Sequence, residues 1–247
     1  MTQRIALVMG DPAGIGPELM ARLLDGGEAQ QAAAILIIGD RRVLAAGERV
    51  AGVSLDVDIA NDAGAEPRRG RLTMIDTGNL DPATIRLGEV SEAAGRSVLD
   101  NFGRALDLAR QGRIDAITFV PFNKDSLRRG GNVHEDELSF AAHHLGATGR
   151  HGEFNVVERL WNARVTSHVP LREVASLITP ERLMRAASAL APHLADLGVV
   201  VEPQEFRGVI DTAVPACIRV VKDPAVRTRI NRIAIFPGGP FYQHIIA

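Results

Sequence analysis

Ile5-Ala6-Leu7-Val8-Met9-Gly10-Asp11-Pro12-Ala13-Gly14-Ile15-Gly16-Pro17-Glu18 opens with an unbroken apolar run and stops it on Gly-Asp-Pro. A continuous run of that length suits a strand buried on both faces, and such strands belong to parallel sheets covered by helices. Gly16-Pro17-Glu18 then starts a helix. Proline's fixed φ fits a first helical turn, and a carboxylate there complements the helix dipole. The helix is expected to reach Leu24 and to end before Gly26-Gly27.

The same pattern recurs outward from this stretch. Ala34-Ile35-Leu36-Ile37-Ile38 predicts a second buried strand, ended by Gly39-Asp40, with a helix beginning over 41–46. Ala116-Ile117-Thr118-Phe119-Val120 predicts a third. Residues 52–79 read as short strands and turns. Residues 91–111 read as a helix whose apolar positions Ala94, Val98, Phe102, Leu106 and Ala109 recur at three- or four-residue intervals. A helix over 136–145, strands over 154–157 and 164–166, and helices over 171–178 and 180–197 complete the expectation. Apolar strands alternating with amphipathic helices predict an α/β fold: a mostly parallel sheet covered by helices, with strands 5–9, 34–38 and 116–120 adjacent.

The 247 residues allow one large α/β domain or two small ones, and 46 % hydrophobic with 23 % charged residues is ordinary globular composition. A net charge of -2 gives no electrostatic reason to expect a nucleic-acid or membrane partner. No apolar run approaches membrane-spanning length, and 5–9 is too short for a signal-peptide core. Cys217 is the single cysteine, which excludes an intrachain disulfide or a cysteine zinc cluster and fits a reducing compartment. The expected location is therefore cytoplasmic. Lys124 and Lys222 are the only lysines in a chain that otherwise uses arginine.

Four segments carry candidate chemistry. The glycine-rich turn 10–16 could bring backbone amides and a helix start to an anion, or could be only a tight βα connection. It has neither the G-x-G-x-x-G nor the Walker spacing, and Asp11 and Glu18 set it apart from a simple phosphate cradle. Pro121-Phe122-Asn123-Lys124 lies at a strand's carboxyl end, where open α/β sheets bind ligands; Lys124 suits a phosphate or carboxylate, with Asn123 beside it. His168, at a strand end before Val169-Pro170, is a candidate metal ligand. In Val133-His134-Glu135-Asp136-Glu137, Asp136 is placed to cap a helix, with Glu137 in its first turn. His143, His144 and His151 show no metal-ligand spacing, with His143 expected to face water. No G-x-S-x-G or H-E-x-x-H motif supports a hydrolase.

Taken together, "IALVMGDPAGIGPE", "VPFNKDSL" followed by "GGN", and "RVTSHVPLREVASLITPERL" resemble the 4-hydroxythreonine-4-phosphate dehydrogenase family in order and spacing. The resemblance covers residues 4–198, so the chain divides into a matching α/β region, 1–198, and an unmatched segment, 199–247. It implies an isocitrate/isopropylmalate dehydrogenase-like fold, a homodimer, and a divalent metal (zinc, magnesium or cobalt) held by three histidines, of which His168 matches the first. The family's substrate-contacting pair falls on Glu135-Asp136, or with a one-residue shift on His134. Asn123 would join them, and Lys124 and Asp11 would serve catalysis. The "HEDEL" wording resembles a side branch acting on dihydrodiols or sugar-acid phosphates. After Gly198 the family's remaining histidine segments have no counterpart, which implies a truncated or altered C-terminal part and, as an alternative, an impaired remnant that only binds ligand or a paralogue. The implied activity is metal-dependent oxidation and decarboxylation of a small phosphorylated hydroxy acid such as 4-phosphohydroxythreonine, in pyridoxal phosphate biosynthesis, with NAD or NADP as hydride acceptor.

Overall fold

The computed structural model of the chain describes residues 2–61, 65–148, 153–157, 160–166, 169–183, 185–186 and 243–245. By internal contacts it divides into two units, Met1–Ala147 and Thr148–Ala247.

The first unit is built on five strands. They are β1 (Arg4–Val8), β2 (Ala34–Gly39), β3 (Val57–Ala60), β4 (Leu72–Asp76) and β5 (Ala116–Phe119), in the spatial order β3-β4-β2-β1-β5. Every pairing is parallel. β1 pairs with β2 on one side and with β5 on the other, Ile5 opposite Ile35 and Ala116, so the three strands expected to be adjacent are adjacent.

Alternation along the strands sends successive side chains to opposite faces. Leu7, Met9, Ile35, Ile37, Leu72 and Met74 pack with Met20, Ala21 and Leu24 of α1 (Gly16–Asp25) and with Val43 and Leu44 of α3 (Arg41–Ala51). Ala6, Val8, Leu36, Ile38 and Ile75 pack on the other face with Phe102, Ala105, Leu106 and Leu108 of α4 (Glu92–Arg110) and with Ala141 of α6 (Glu137–His144). Both faces of the sheet's centre are thus covered, which is why β2 and the buried end of β1 read as unbroken apolar runs, while the edge strands β3 and β5 keep exposed positions. The expected stripe on α4 is the buried one: Ala94, Val98, Phe102 and Leu106 are each at most 3 % exposed.

Two short helices lay outside the sequence expectation, α2 (Glu28–Ala32) and α5 (Lys124–Arg129). Both are shorter than two turns, too short for apolar periodicity to register. In the second unit β6 (Glu153–Val157) pairs antiparallel with β7 (Leu160–Ala163) and with β8 (Gln243–Ile245). The strand expected over 164–166 is therefore displaced: β7 ends at Ala163 and the following residues bend. α7 (Leu171–Leu177) agrees with the expected helix, and 180–183 with the start of the next.

Candidate functional site

The chain runs from β1 to β2, β3 and β4 on one side, then crosses back through α4 to place β5 on the other side of β1. The carboxyl ends of β1 and β5 therefore flank the topological switch point, the position where open α/β sheets form a ligand crevice. The glycine-rich turn and the Pro121–Lys124 loop meet there. The Asp11 amide donates to the Pro121 carbonyl at 3.0 Å. A side chain on Gly10 would collide with the carbonyl oxygens of Val120 and Pro121, so the absence of Cβ is what permits the approach.

Asp11 holds the turn from within. Its carboxylate, 5 % exposed, accepts from the Ala13 amide at 2.9 Å. Its carbonyl accepts from the Gly14 amide at 3.1 Å. Burial raises the Asp11 pKa above the ordinary carboxylate range, and the Ala13 hydrogen bond offsets only part of that. The geometry supports a positioning role for Asp11, behind the loop rather than at its mouth. Glu18 accepts from Arg22 one turn along α1, at 2.9 Å.

Across the crevice, Asn123 caps α5, its Oδ1 accepting from the Asp125 and Ser126 amides at 3.0 Å each. That oxygen is committed to the helix, leaving the side-chain amide N–H groups as donors. Lys124, at the first helical position, is exposed. α5 is pinned against α4, where a Cβ on Gly95 would strike the Ser126 carbonyl and the Ser91 amide donates to Ser126 Oγ at 3.2 Å.

The loop after α5 carries His134, Glu135 and Asp136. Asp136 caps α6 as expected, accepting from the Ser139 amide at 2.8 Å. Glu135 is exposed. The His134 ring meets Phe140 edge-on with centroids 5.9 Å apart and lies 4.8 Å from the ring of His143. Phe140 in turn stacks on Phe102 at 5.6 Å, and Phe102 touches Phe119 and Phe122 at 5.6 and 5.7 Å. This aromatic chain ties the His134 loop to the end of β5.

Sequence reading passed over His143 and His144. His143 is exposed, as expected, yet it also faces His134. His144 is half-buried and its Nε2 lies 3.1 Å from Asp107 Oδ1. The available signal was the Phe140–His143 spacing, which places both on one face of a helix.

A third loop completes this edge of the sheet. Asp40 is buried, caps α3 and accepts from the amides of Arg42 and Leu80 and from the Arg42 guanidinium. Burial pushes its carboxyl up, but these hydrogen bonds outweigh burial and leave it below its ordinary value. Residues 76–80 are thereby held beside the β1 and β2 ends. His168 lies outside the described residues, so the structure does not place it relative to Lys124. Among the described residues, no three histidine, cysteine, aspartate or glutamate side chains are grouped to hold a metal ion.

The profile of the family described as "Pyridoxal phosphate biosynthetic protein PdxA" matches residues 31–204. The chain belongs to this family. "Putative 4-hydroxythreonine-4-phosphate dehydrogenase 2" of Rhizobium meliloti is 47 % identical over 195 residues, 78 % of this chain and 56 % of that protein. "Putative D-threonate 4-phosphate dehydrogenase" of Fusobacterium nucleatum is 30 % identical over 205 residues, 81 % of this chain and 60 % of that protein. The crystal structure of 4-hydroxythreonine-4-phosphate dehydrogenase from Klebsiella pneumoniae superposes with a TM-score of 0.70 at 28 % identity, over 80 % of this chain and 61 % of that one. The chain thus spans less than two thirds of the length of these PdxA relatives.

Proposed function

We propose that the chain serves the NAD- or NADP-linked oxidation, with decarboxylation, of a four-carbon hydroxy acid phosphorylated at the end opposite its carboxylate. Two relatives are named for 4-hydroxythreonine 4-phosphate and for D-threonate 4-phosphate. These compounds share the terminal phosphate, the carboxylate and the hydroxyl at carbon three, and differ at carbon two, an amine in one and a hydroxyl in the other. Oxidation at carbon three sends a hydride to nicotinamide and a proton to a base, leaving a β-keto acid that readily loses carbon dioxide.

The observation that carries this reading is the joining of the glycine-rich turn to the Asn123–Lys124 loop at the switch point, by the Asp11–Pro121 bond of 3.0 Å. Lys124 supplies a full positive charge for the phosphate or carboxylate, on a backbone fixed by the Asn123 cap. The turn supplies amides, held in shape by Asp11. His134, braced by Phe140 and flanked by His143, contributes ring N–H groups to the substrate's polar atoms. A divalent cation bound by His168 and further ligands would polarise the alcohol oxygen. The described residues do not build its site.

The same reading carries a cytoplasmic homodimer, a place in pyridoxal phosphate biosynthesis and no nucleic-acid or membrane partner. No described helix is long and apolar enough to cross a membrane.

The test titrates both phosphorylated acids into the chain with NAD or NADP and a divalent metal present, following heat and nicotinamide reduction. Lys124→Ala is expected to weaken binding of the phosphorylated acid about tenfold, the magnitude of a charge-assisted hydrogen bond, with nicotinamide binding unchanged. Undiminished affinity for the phosphorylated acid in this variant refutes the assignment.

A further inference from the structure

α5 stands between the two side chains assigned to the substrate: Lys124 is its first residue, and His134 lies in the loop that follows Gly130. The helix is seated on α4 through two glycines. A Cβ on Gly95 would overlap the Ser126 carbonyl and lie 2.9 Å from the Leu127 nitrogen. A Cβ on Gly130 would overlap the Arg96 amide nitrogen and lie 3.0 Å from the Gly95 Cα. The contact is backbone against backbone, so no side-chain rotation can adjust it. Glycine is a poor residue for a helix interior, and this close approach is the physical reason for one at position 95 of α4. Both ends of α5 are tied to the seat. Ser126 Oγ accepts from the Ser91 amide at 3.2 Å, and the Leu127 amide donates to the Asn123 carbonyl at 2.9 Å. At the other end, the Gly130 amide donates to the Ser126 carbonyl at 2.8 Å and the Asn132 amide to the Leu127 carbonyl at 2.9 Å. Asn132 Oδ1 then accepts from the His134 amide at 3.0 Å.

We propose that Gly95 and Gly130 are positioning residues for substrate binding, their contact setting Lys124 and His134 together as the two ends of one piece. The inference rests on Lys124 and His134 being the groups that meet the phosphorylated acid. Six helical residues with hydrogen bonds at both ends move as a unit, so a displacement of the seat reaches both groups at once. A misplacement of about 1 Å in a binding group is enough to lose most of a directed polar contact. Gly130 has a φ of -71°, in the right-handed region that alanine adopts freely. Gly130→Ala therefore perturbs the seat without straining the local backbone.

The experiment is NMR of the whole chain with lysine and histidine side chains labelled. Lys124 and Lys222 are the only lysines, so the Lys124 signal is assigned by its loss in Lys124→Ala, and that of His134 by its loss in His134→Ala. Without ligand, Gly130→Ala is expected to shift both signals. Leu24→Ala, which opens the core at the far edge of the sheet, is expected to shift neither, although it too destabilises the chain. Titrated with 4-hydroxythreonine 4-phosphate, Gly130→Ala should bind about tenfold more weakly, the loss expected of Lys124→Ala, with affinity for NAD unchanged. If Gly130→Ala fails to fold, Ser126→Ala, which frees the Ser91 amide without adding atoms, is read in its place and should give the same paired shifts. Unshifted signals, a shift of only one of the two, or equal shifts in Leu24→Ala would overturn the proposal. So would parent affinity in Gly130→Ala where Lys124→Ala has lost it. Undiminished affinity in Lys124→Ala instead refutes Lys124 as a substrate contact, and the paired shifts, read without ligand, still decide whether the glycines set α5.

Discussion

Replacing Gly10 by alanine tests how the crevice is assembled. The new methyl group would overlap the Val120 and Pro121 carbonyl oxygens and lie 2.9 Å from the Val120 carbonyl carbon. These are backbone atoms of the loop leaving β5, so no side-chain rotation relieves the contact. The two loops must separate by roughly 1 Å to reach ordinary van der Waals distance. That movement breaks the 3.0 Å bond from the Asp11 amide to Pro121. A buried amide left without its acceptor costs about 1–3 kcal/mol, and overpacking adds about 1–3 kcal/mol. Gly10→Ala should therefore destabilise by roughly 2–5 kcal/mol, taking the two together with partial relaxation. Gly14→Ala is the matched control. Its nearest neighbour would be the Asp11 carbonyl oxygen at 3.5 Å, an ordinary contact, and its φ lies outside the left-handed region. That change should stay within about 0.5 kcal/mol of the parent. Urea denaturation followed by circular dichroism gives both midpoints. Equal midpoints for the two variants would show that the turn and the β5 loop do not bear on each other as described.

Three further outcomes follow from the same geometry. The raised pKa of buried Asp11 means that its contribution to stability is present below the unfolded carboxyl value, about 3.9, and is lost as pH rises through the higher native value. Asp11→Asn should gain stability relative to the parent across that window, and a relative loss between pH 4 and 7 would contradict the burial argument. Asp115, held by Arg4 and lowered to about 2, has the opposite sign: its contribution is present above about 3.9 and disappears as pH falls through about 2. The stability of Asp115→Asn and the parent should therefore converge on acidification, and a constant gap would refute the pairing. Phe102→Ala removes the ring on which Phe119, Phe122 and Phe140 converge. It should cost about 3–5 kcal/mol and shift the His134 ring resonances; unchanged His134 resonances would disconnect that loop from the aromatic chain.

The three adjacent strands β2, β1 and β5 of the parallel sheet were legible in the sequence, most clearly β2, which is buried on both faces. Burial on two sides demands apolar residues throughout β2 and along the buried end of β1, while edge strand β5 keeps exposed positions at Ala116 and Thr118; Gly-Asp and Pro residues mark where these strands end. The caps at Asp136 and the buried stripe on α4 were legible for similarly local reasons, since capping and helical periodicity involve residues within a turn of one another. Position at a strand's carboxyl end singled out Lys124, and the family resemblance added the expectation that the His134 loop contacts substrate. The expected adjacency of strands 5–9 and 116–120 already placed the glycine-rich turn and the Pro121–Lys124 loop on one edge of the sheet. Only the tertiary structure brought them into contact, the Asp11 amide on the Pro121 carbonyl, because side-by-side strands do not by themselves fix how close their loops come. It also turned Asn123 Oδ1 and Asp11 inward as structural acceptors, a choice set by which amides lie nearby after folding. The aromatic chain from Phe119 to His134 belongs to the same class. Its members sit on β5, α4, α6 and the intervening loops, and their ring contacts exist only once the helices pack on the sheet.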